Sequence, residues 1–286
     1  MNGDRTLRQN YEQVLKRIRD ACEAAGRPAD SVRLLAVSKA FPAASVLALA
    51  ALGQRAFGEN YLQEALDKIA ACSDERSAIA AAGSAPAAPQ AHVELPAHVG
   101  LPAHVELPAL EWHFIGPIQS NKTRPIAAHF DWVHSVDREK IARRLSEQRP
   151  AERAALNLCL QVNVSGETSK SGVAPGEVVA LALAVAALPR LRLRGLMAIP
   201  EPTDDPGLQR SRFAALRELH ARVHAALAAD AASCFDTLSM GMSADLESAV
   251  MEGATIVRVG SALFGARPRA TRELSPSPES SLSPST

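Results

Sequence analysis

Apolar positions in this chain fall into short, β-branched runs separated by longer stretches of helical periodicity. The short runs cover residues 32–37, 55–57, 111–115, 132–135, 158–164, 193–198, 237–239 and 256–259. Each is brief and nearly continuous in its hydrophobicity, the pattern of a strand buried on both faces. Between them, helices are predicted at 42–52, 61–70, 122–128, 138–148, 175–187, 206–229 and 244–252, and an additional helix over 5–25 opens the chain. Asp137, Ser243 and Pro175 supply start signals for three of these helices.

Eight strands alternating strictly with helices, joined by right-handed crossovers, predict an α/β fold, either a doubly wound sheet or a closed (β/α)8 TIM barrel. The count of eight favours the barrel, and no GxGxxG follows the first strand to mark a dinucleotide fold. A barrel gathers its chemistry where strands give way to loops on the carboxyl-terminal face. Those places hold Lys39, "GEN" (58–60), "GPIQSNK" (116–122), "NVSGETSKSG", "MAIPEP", "SMGMS" and "VGS".

Two segments depart from this pattern. Residues 74–110 are rich in alanine and proline and include the tandem "AHVELP AHVGLP AHVELP", which reads as a surface insertion in a loop. His92, His98 and His104 recur there without a cysteine or carboxylate cage, so no metal site is expected. The tail, 268–286, is dominated by serine and proline and is expected to be disordered, which leaves 1–267 as a single barrel domain.

Composition narrows the function classes. Lys+Arg and Asp+Glu both total 31, so no global field draws nucleic acid or an anionic membrane. Cys22, Cys72, Cys159 and Cys234 are scattered without a CxxC pair, the usage of a reduced, cytoplasmic protein. The first twenty residues lack an apolar signal region, and the longest low-charge stretch, 178–189, is too short to span a bilayer.

The candidate chemistry begins at Lys39. A partly desolvated lysine at a barrel mouth loses its preference for the charged form, and its neutral amine is a nucleophile toward an aldehyde. The same residue also reads as a lysine snorkelling from a strand end to water. Further along, "LSMGMSADLESAVMEGATIVRVGSALFGAR" carries two anion-binding elements around Arg258. Ser239, Ser243 and the amides near Gly241 open one helix, and Gly260 and Ser261 follow the last strand. Loops after the seventh and eighth strands are the usual phosphate position in this barrel. A phosphate cradle beside an imine-forming lysine suggests pyridoxal 5'-phosphate (PLP).

Six stretches in order, "AVSKAFP", "FGENYLQEALDK", "WHFIGPIQSNK", "VNVSGETSKSG", "RGLMAIP" and "LSMGMSADLESAV…VRVGSALFGAR", closely resemble the pyridoxal phosphate homeostasis protein family. This is the YggS/PROSC group, whose fold is similar to the N-terminal barrel of alanine racemase. The resemblance implies that Lys39 holds PLP as an imine and that Arg258 faces the pyridine nitrogen. It implies that Gly260 and Ser261 bind the phosphate through backbone amides, that Ser239 and Ser243 add hydroxyl donors, and that Asn60 sits beside the ring. Lys122 and Lys170 look like the family's other mouth lysines, handling cofactor in transit, or equally like solvated loop lysines.

An arginine cannot protonate the ring nitrogen, so the cofactor is a poor electron sink; this disfavours transamination and decarboxylation but permits racemisation. A two-base racemase needs a second acid/base, which alanine racemase takes from an additional C-terminal domain. The chain stops soon after its expected eighth strand, with only 266–286 remaining, and neither Tyr11 nor Tyr61 is placed as such a base. The expectation is therefore a monomeric, non-catalytic PLP binder that buffers the cofactor and passes it through transient contacts to PLP-dependent apoenzymes. A low-activity amino-acid racemase is the competing expectation, and a cofactor-free phosphosugar barrel the third.

Overall fold

A strand buried on both faces needs neighbours edge to edge and cover on the outside, and this chain provides both by closing its sheet. The computed structural model describes residues 2–83, 109–166 and 171–265. Its strands are β1 (Arg33–Val37), β2 (Ala56–Glu59), β3 (Glu111–Phe114), β4 (Trp132–Val136), β5 (Leu156–Gln161), β6 (Leu191–Met197), β7 (Thr237–Ser239) and β8 (Ile256–Val259). All pair in parallel in the order of the chain, and β1 pairs with β8 to close the barrel. The helices are α1 (Asn2–Ala24), α2 (Ala43–Ala51), α3 (Leu62–Gly83), α4 (Thr123–His129), α5 (Glu139–Gln148), α6 (Val178–Ala186), α7 (Pro206–Ala226), α8 (Ala229–Ala232), α9 (Leu246–Met251) and α10 (Ser261–Phe264).

Side chains alternate along each strand, so the barrel has two cores. The larger lies outside, between sheet and helices, and includes Phe57, Trp112, Leu158, Leu196, Phe213 and Val257. Inside are two small apolar groups: Leu35, Val37, Ala56, Ile115 and Ile256 on one side, and Trp132, Cys159 and Met197 on the other. Burial raises the Cys159 thiol to about 12, so it packs as an apolar group. Between the two patches the interior is polar, with His113, His134, Ser239 and Arg258 all buried.

The structure corrects several sequence-based boundaries. The helix after β2 runs through Gly83, beyond the expected start of the insertion at 74. Its alanine content, taken as low complexity, is a strong helix former. Residues 84–108, with the hexapeptide repeat and His92, His98 and His104, lie outside the described residues, as do Lys170 and the tail. The helix predicted over 206–229 breaks into α7 and α8 because Leu227 turns to extended backbone and buries its side chain. Asp137 and Ser243 are not caps: the residues entering α5 and α9 are Arg138 and Asp245. Pro175 lies in a turn before α6. Asp205 does cap α7, its carboxylate accepting from the Gly207 amide at 2.8 Å, with Pro206 in the first turn.

Gly195 shows how closely the strands approach. A Cβ built there would lie 1.8 Å from the Thr237 carbonyl oxygen on β7. Gly195→Ala is expected to cost at least about 2 kcal/mol, since the clash is with backbone that cannot rotate away. Urea unfolding monitored by far-UV circular dichroism checks this; an unchanged midpoint would contradict it.

Candidate functional site

The carboxyl ends of β7, β8, β1 and β2 are consecutive around the barrel, and they carry all eight residues expected to bind the cofactor, though not the mouth lysines Lys122 and Lys170. Lys39 lies two residues beyond β1, Asn60 one beyond β2, Gly241 and Ser243 follow β7, and Gly260 and Ser261 follow β8. Leu35 of β1 pairs in register with Arg258 of β8, so the lysine and the arginine come from adjacent strands.

Lys39 is half-buried and sits in a turn that hydrogen bonds tie down on both sides. The Ser38 amide donates to the Gly58 carbonyl at 3.0 Å, and its hydroxyl donates to Glu59 Oε1 at 2.6 Å. Ala40 takes a left-handed conformation, φ 65°, which is costly for a residue with a Cβ. Its amide donates to Glu64 Oε1 at 2.6 Å, which holds it there. Lys68 of α3 sits at the hub of this arrangement. Its ammonium donates to the Ser38 carbonyl (2.7 Å), Glu59 Oε1 (2.6 Å) and Glu64 Oε1 (3.0 Å), using all three of its N–H groups. Burial pushes the Glu59 carboxyl up, against the pull of Lys68 and Ser38. Phe41 then stacks on Phe264 at 4.8 Å, joining this turn to the helix after β8.

Arg258 is 4% exposed and donates Nη1 to the Ser239 carbonyl (2.7 Å) and hydroxyl (2.9 Å), and Nη2 to the Ala198 carbonyl (2.9 Å). Burial pushes it down to about 10, which leaves it charged at neutral pH. Its Nε–H and second Nη2–H have no acceptor among the described residues. The carboxamide oxygen of Asn60 is likewise buried without a partner there. Gly116, after β3, lets the loop press on Asn60: a Cβ there would fall 2.0 Å from the Asn60 carbonyl oxygen.

The anion-binding loops differ from expectation in two respects. The Ser239 hydroxyl is fully buried against Arg258 and His134 (2.8 Å), so it braces the arginine and does not face a phosphate. The Met242 amide is already donated to Asp245 Oδ1 at 2.6 Å. What remains for an anion is the Ser243 side chain, the Gly241 loop and the first-turn amides after Gly260. Gly241 holds φ 89°, and a Cβ there would meet that of Ala249 at 2.5 Å. Helix α1 secures both loops from outside. Arg17 pairs with Glu247 through two bonds and donates to the Ser243 carbonyl at 3.0 Å, while Asn10 donates to the Leu263 carbonyl at 3.0 Å.

A planar aromatic heterocycle with an anionic arm and an electrophilic carbon fits these groups: spare guanidinium N–H groups, an unpartnered carboxamide, glycine-lined loops and one lysine. Comparison with known proteins points the same way. The family model described as "Alanine racemase, N-terminal domain" matches residues 9–268. The pyridoxal phosphate homeostasis protein of Pseudomonas aeruginosa is 56% identical over 262 residues, spanning 92% of this chain and 96% of that protein. The chain belongs to the pyridoxal phosphate homeostasis protein family. PipY of Synechococcus elongatus PCC7942, a structure with PLP bound, is 33% identical with a TM-score of 0.65, covering 87% of this chain and 100% of that one. Alanine racemase from Corynebacterium glutamicum, at 16% identity and a TM-score of 0.55, shares the fold; the match covers 94% of this chain and 63% of that one. Among the described residues no helix is long and apolar enough to cross a membrane, and no group of side chains is arranged to hold a metal ion.

Within this family site, Glu59, Glu64, Lys68, Arg17, His113 and His134 were not found from sequence. The i, i+4 spacing of Glu64 and Lys68 and the two histidines set inside apolar strands were the available signals. Lys122 lies exposed at the end of a short 3-10 turn, Ser120–Lys122.

Lys68→Met should cost about 3–5 kcal/mol in denaturant unfolding, because it strands a buried carboxylate, and the double variant with Glu59→Gln should cost less. Equal losses would contradict the clamp. Burial lowers His113 and His134 in the folded state, His134 the more strongly, and lowers His220 to about 4. Below about pH 6.5 the unfolded chain therefore binds protons that the folded chain refuses, and stability falls as pH drops from 6.5 toward 4. Melting temperatures across that range check the sign; a flat profile would contradict it.

Proposed function

We propose that this protein binds PLP, holds it reversibly on Lys39 and serves PLP homeostasis in the cytoplasm, buffering the aldehyde and releasing it to apoenzymes as a monomer. The observation that carries the reading is the pairing, on adjacent strands, of a clamped lysine and a buried arginine with two uncommitted N–H groups. Family membership and the PLP-bound PipY support it.

When bound, PLP supplies an electrophilic aldehyde carbon and an aromatic ring able to delocalise charge. The rest is done by the chain. Lys39 would supply the primary amine for that carbon, the chemistry the cofactor brings being reversible condensation with loss of water. The fixed Ser38–Ala40 turn presents that amine without a search through backbone conformations. Arg258 would offer N–H donors to the ring nitrogen and, being unable to give up a proton, would leave it unprotonated. Asn60 would lie beside the ring. Ser243, the Gly241 loop and the amides after Gly260 would hold the phosphate, and Ser239 supports Arg258. A ring without a proton on its nitrogen stabilises carbanions poorly, which suits storage better than turnover. Tyr11 is buried in α1, and Tyr61, 58% exposed, caps α3, so neither tyrosine is set as a shielded second base.

The test is an absorption spectrum of the protein with PLP, then borohydride reduction and peptide mapping. An imine band and a reduced adduct at Lys39, both absent in Lys39→Ala with the fold retained, are expected. An adduct on another lysine, or none, would overturn the reading. Incubation of the loaded protein with L-alanine in deuterated water should leave Cα unlabelled; inversion with deuterium at Cα would make it a racemase.

A further inference from the structure

The polar groups inside the barrel form one continuous line. Arg258 Nη1 donates to Ser239 Oγ at 2.9 Å, Ser239 Oγ meets His134 Nδ1 at 2.8 Å, His134 Nε2 meets His113 Nδ1 at 2.8 Å, and His113 Nε2 meets Glu111 Oε1 at 2.7 Å. Ser239 is the last residue of β7 and Glu111 the first of β3, so the line runs from the carboxyl rim of the barrel to the amino rim. Glu111 also accepts from Arg33 at 2.9 Å, at the start of β1. Trp132 stacks on His113 at 5.3 Å, and Arg194 lies 4.8 Å over the Trp132 ring.

The two ends dictate where every proton sits. Arg258 can only donate, and the Ser239 hydroxyl, accepting from it, has one proton left to give, with His134 Nδ1 in reach to take it. His134 then carries hydrogen on Nε2 and donates to His113 Nδ1, and His113 carries hydrogen on Nε2 and donates to Glu111. At the far end the carboxylate can only accept, and its hydrogen bonds to His113 and Arg33 keep it ionised, with a value lowered to about 2. Reversing the line would require a protonated Glu111 and would orphan the serine proton inside the barrel.

We propose that Ser239, His134 and His113 form a one-way hydrogen-bonded relay that positions Arg258 and ties it to Glu111 on the opposite rim. The relay rests on the proposed function in one respect: its purpose is to fix the two free N–H groups of Arg258 toward the pyridine nitrogen of PLP. These three are positioning residues, acting on the cofactor only through Arg258. Each histidine has one tautomer consistent with the line, so the guanidinium faces a serine oxygen that is never a competing donor. Glu111, Arg33, Asp131 and Arg258 are the charged groups acting on the two rings, and the carboxylate that touches a ring, the partly exposed Glu111, lies at the end farthest from Arg258.

Long-range 15N–1H spectra of the cofactor-free protein read the tautomers directly. Both His113 and His134 should show a protonated Nε2 and a bare Nδ1 at pH 7, and Glu111→Ala should allow the other tautomer to appear. An Nδ1–H ring or an imidazolium in the native protein, or an unchanged pattern in Glu111→Ala, would overturn the relay. With PLP labelled by 15N in the ring, Ser239→Ala should shift the ring-nitrogen resonance and weaken binding about 10-fold, roughly one hydrogen bond, while borohydride still reduces the Lys39 adduct. Ser239→Thr should restore much of both. Wild-type shift and affinity in Ser239→Ala would overturn the positioning role. Failure of the wild type to take up PLP would remove the purpose along with the proposed function, while the cofactor-free tautomers would still decide the relay.

Discussion

A guanidinium sealed inside a barrel loses its hydration, and the loss is made good only if its N–H groups meet acceptors in the right plane. Arg258 meets this condition through carbonyls at the ends of two strands: Ser239 closes β7, and Ala198 follows β6. Its own amide donates to the Gly241 carbonyl, which fixes the start of the next loop. Three strand ends and the Gly241 loop therefore take their spacing from a single residue, Arg258. A lysine would satisfy only part of this set, because its donors diverge from one point and do not form a fork. The polar centre of the barrel interior, between two apolar patches, follows from the same demand.

The lysine on the adjacent strand is governed by a second buried charge. Lys68 neutralises Glu59 and ties the Ser38 carbonyl to α3. The left-handed Ala40 beside it is a strained conformation that persists because Glu64 holds its amide. Binding surfaces gain when such costs are met by the fold, since less ordering remains to be done when a ligand arrives. Charged residues on β2 and α3 thus set the position of the turn that carries Lys39.

Much of the architecture was legible in the chain. The eight strands were visible because strands covered on both faces are almost purely apolar, and the residue after each strand end was readable as mouth because a barrel puts its loops there. Helix boundaries were less legible. Asp137 has the chemistry of a cap, yet its carboxylate accepts from the Arg138 side chain. The alanines of 74–83 look like filler by composition but prolong α3. Ser239 shows the limit for site residues. Its place at the end of β7 was clear, but whether its hydroxyl turned toward a ligand or inward depended on His134, 105 residues away in sequence. Nothing local to "WHF" or "VHS" reveals that the two rings touch, since that contact exists only once β3 and β4 pair.

The closure of the barrel by β1 against β8 has a consequence for synthesis. Lys39 and Arg258 become neighbours only through that last pairing, and α1 reaches its partners Ser243, Glu247 and Leu263 at the same stage. A chain emerging from the ribosome can assemble the strands in order, yet it has no cofactor pocket until the eighth strand is free of the exit tunnel. Capture of a reactive aldehyde is thereby reserved for the finished molecule, and a product truncated before β8 bears the lysine turn without the arginine and loops that face it.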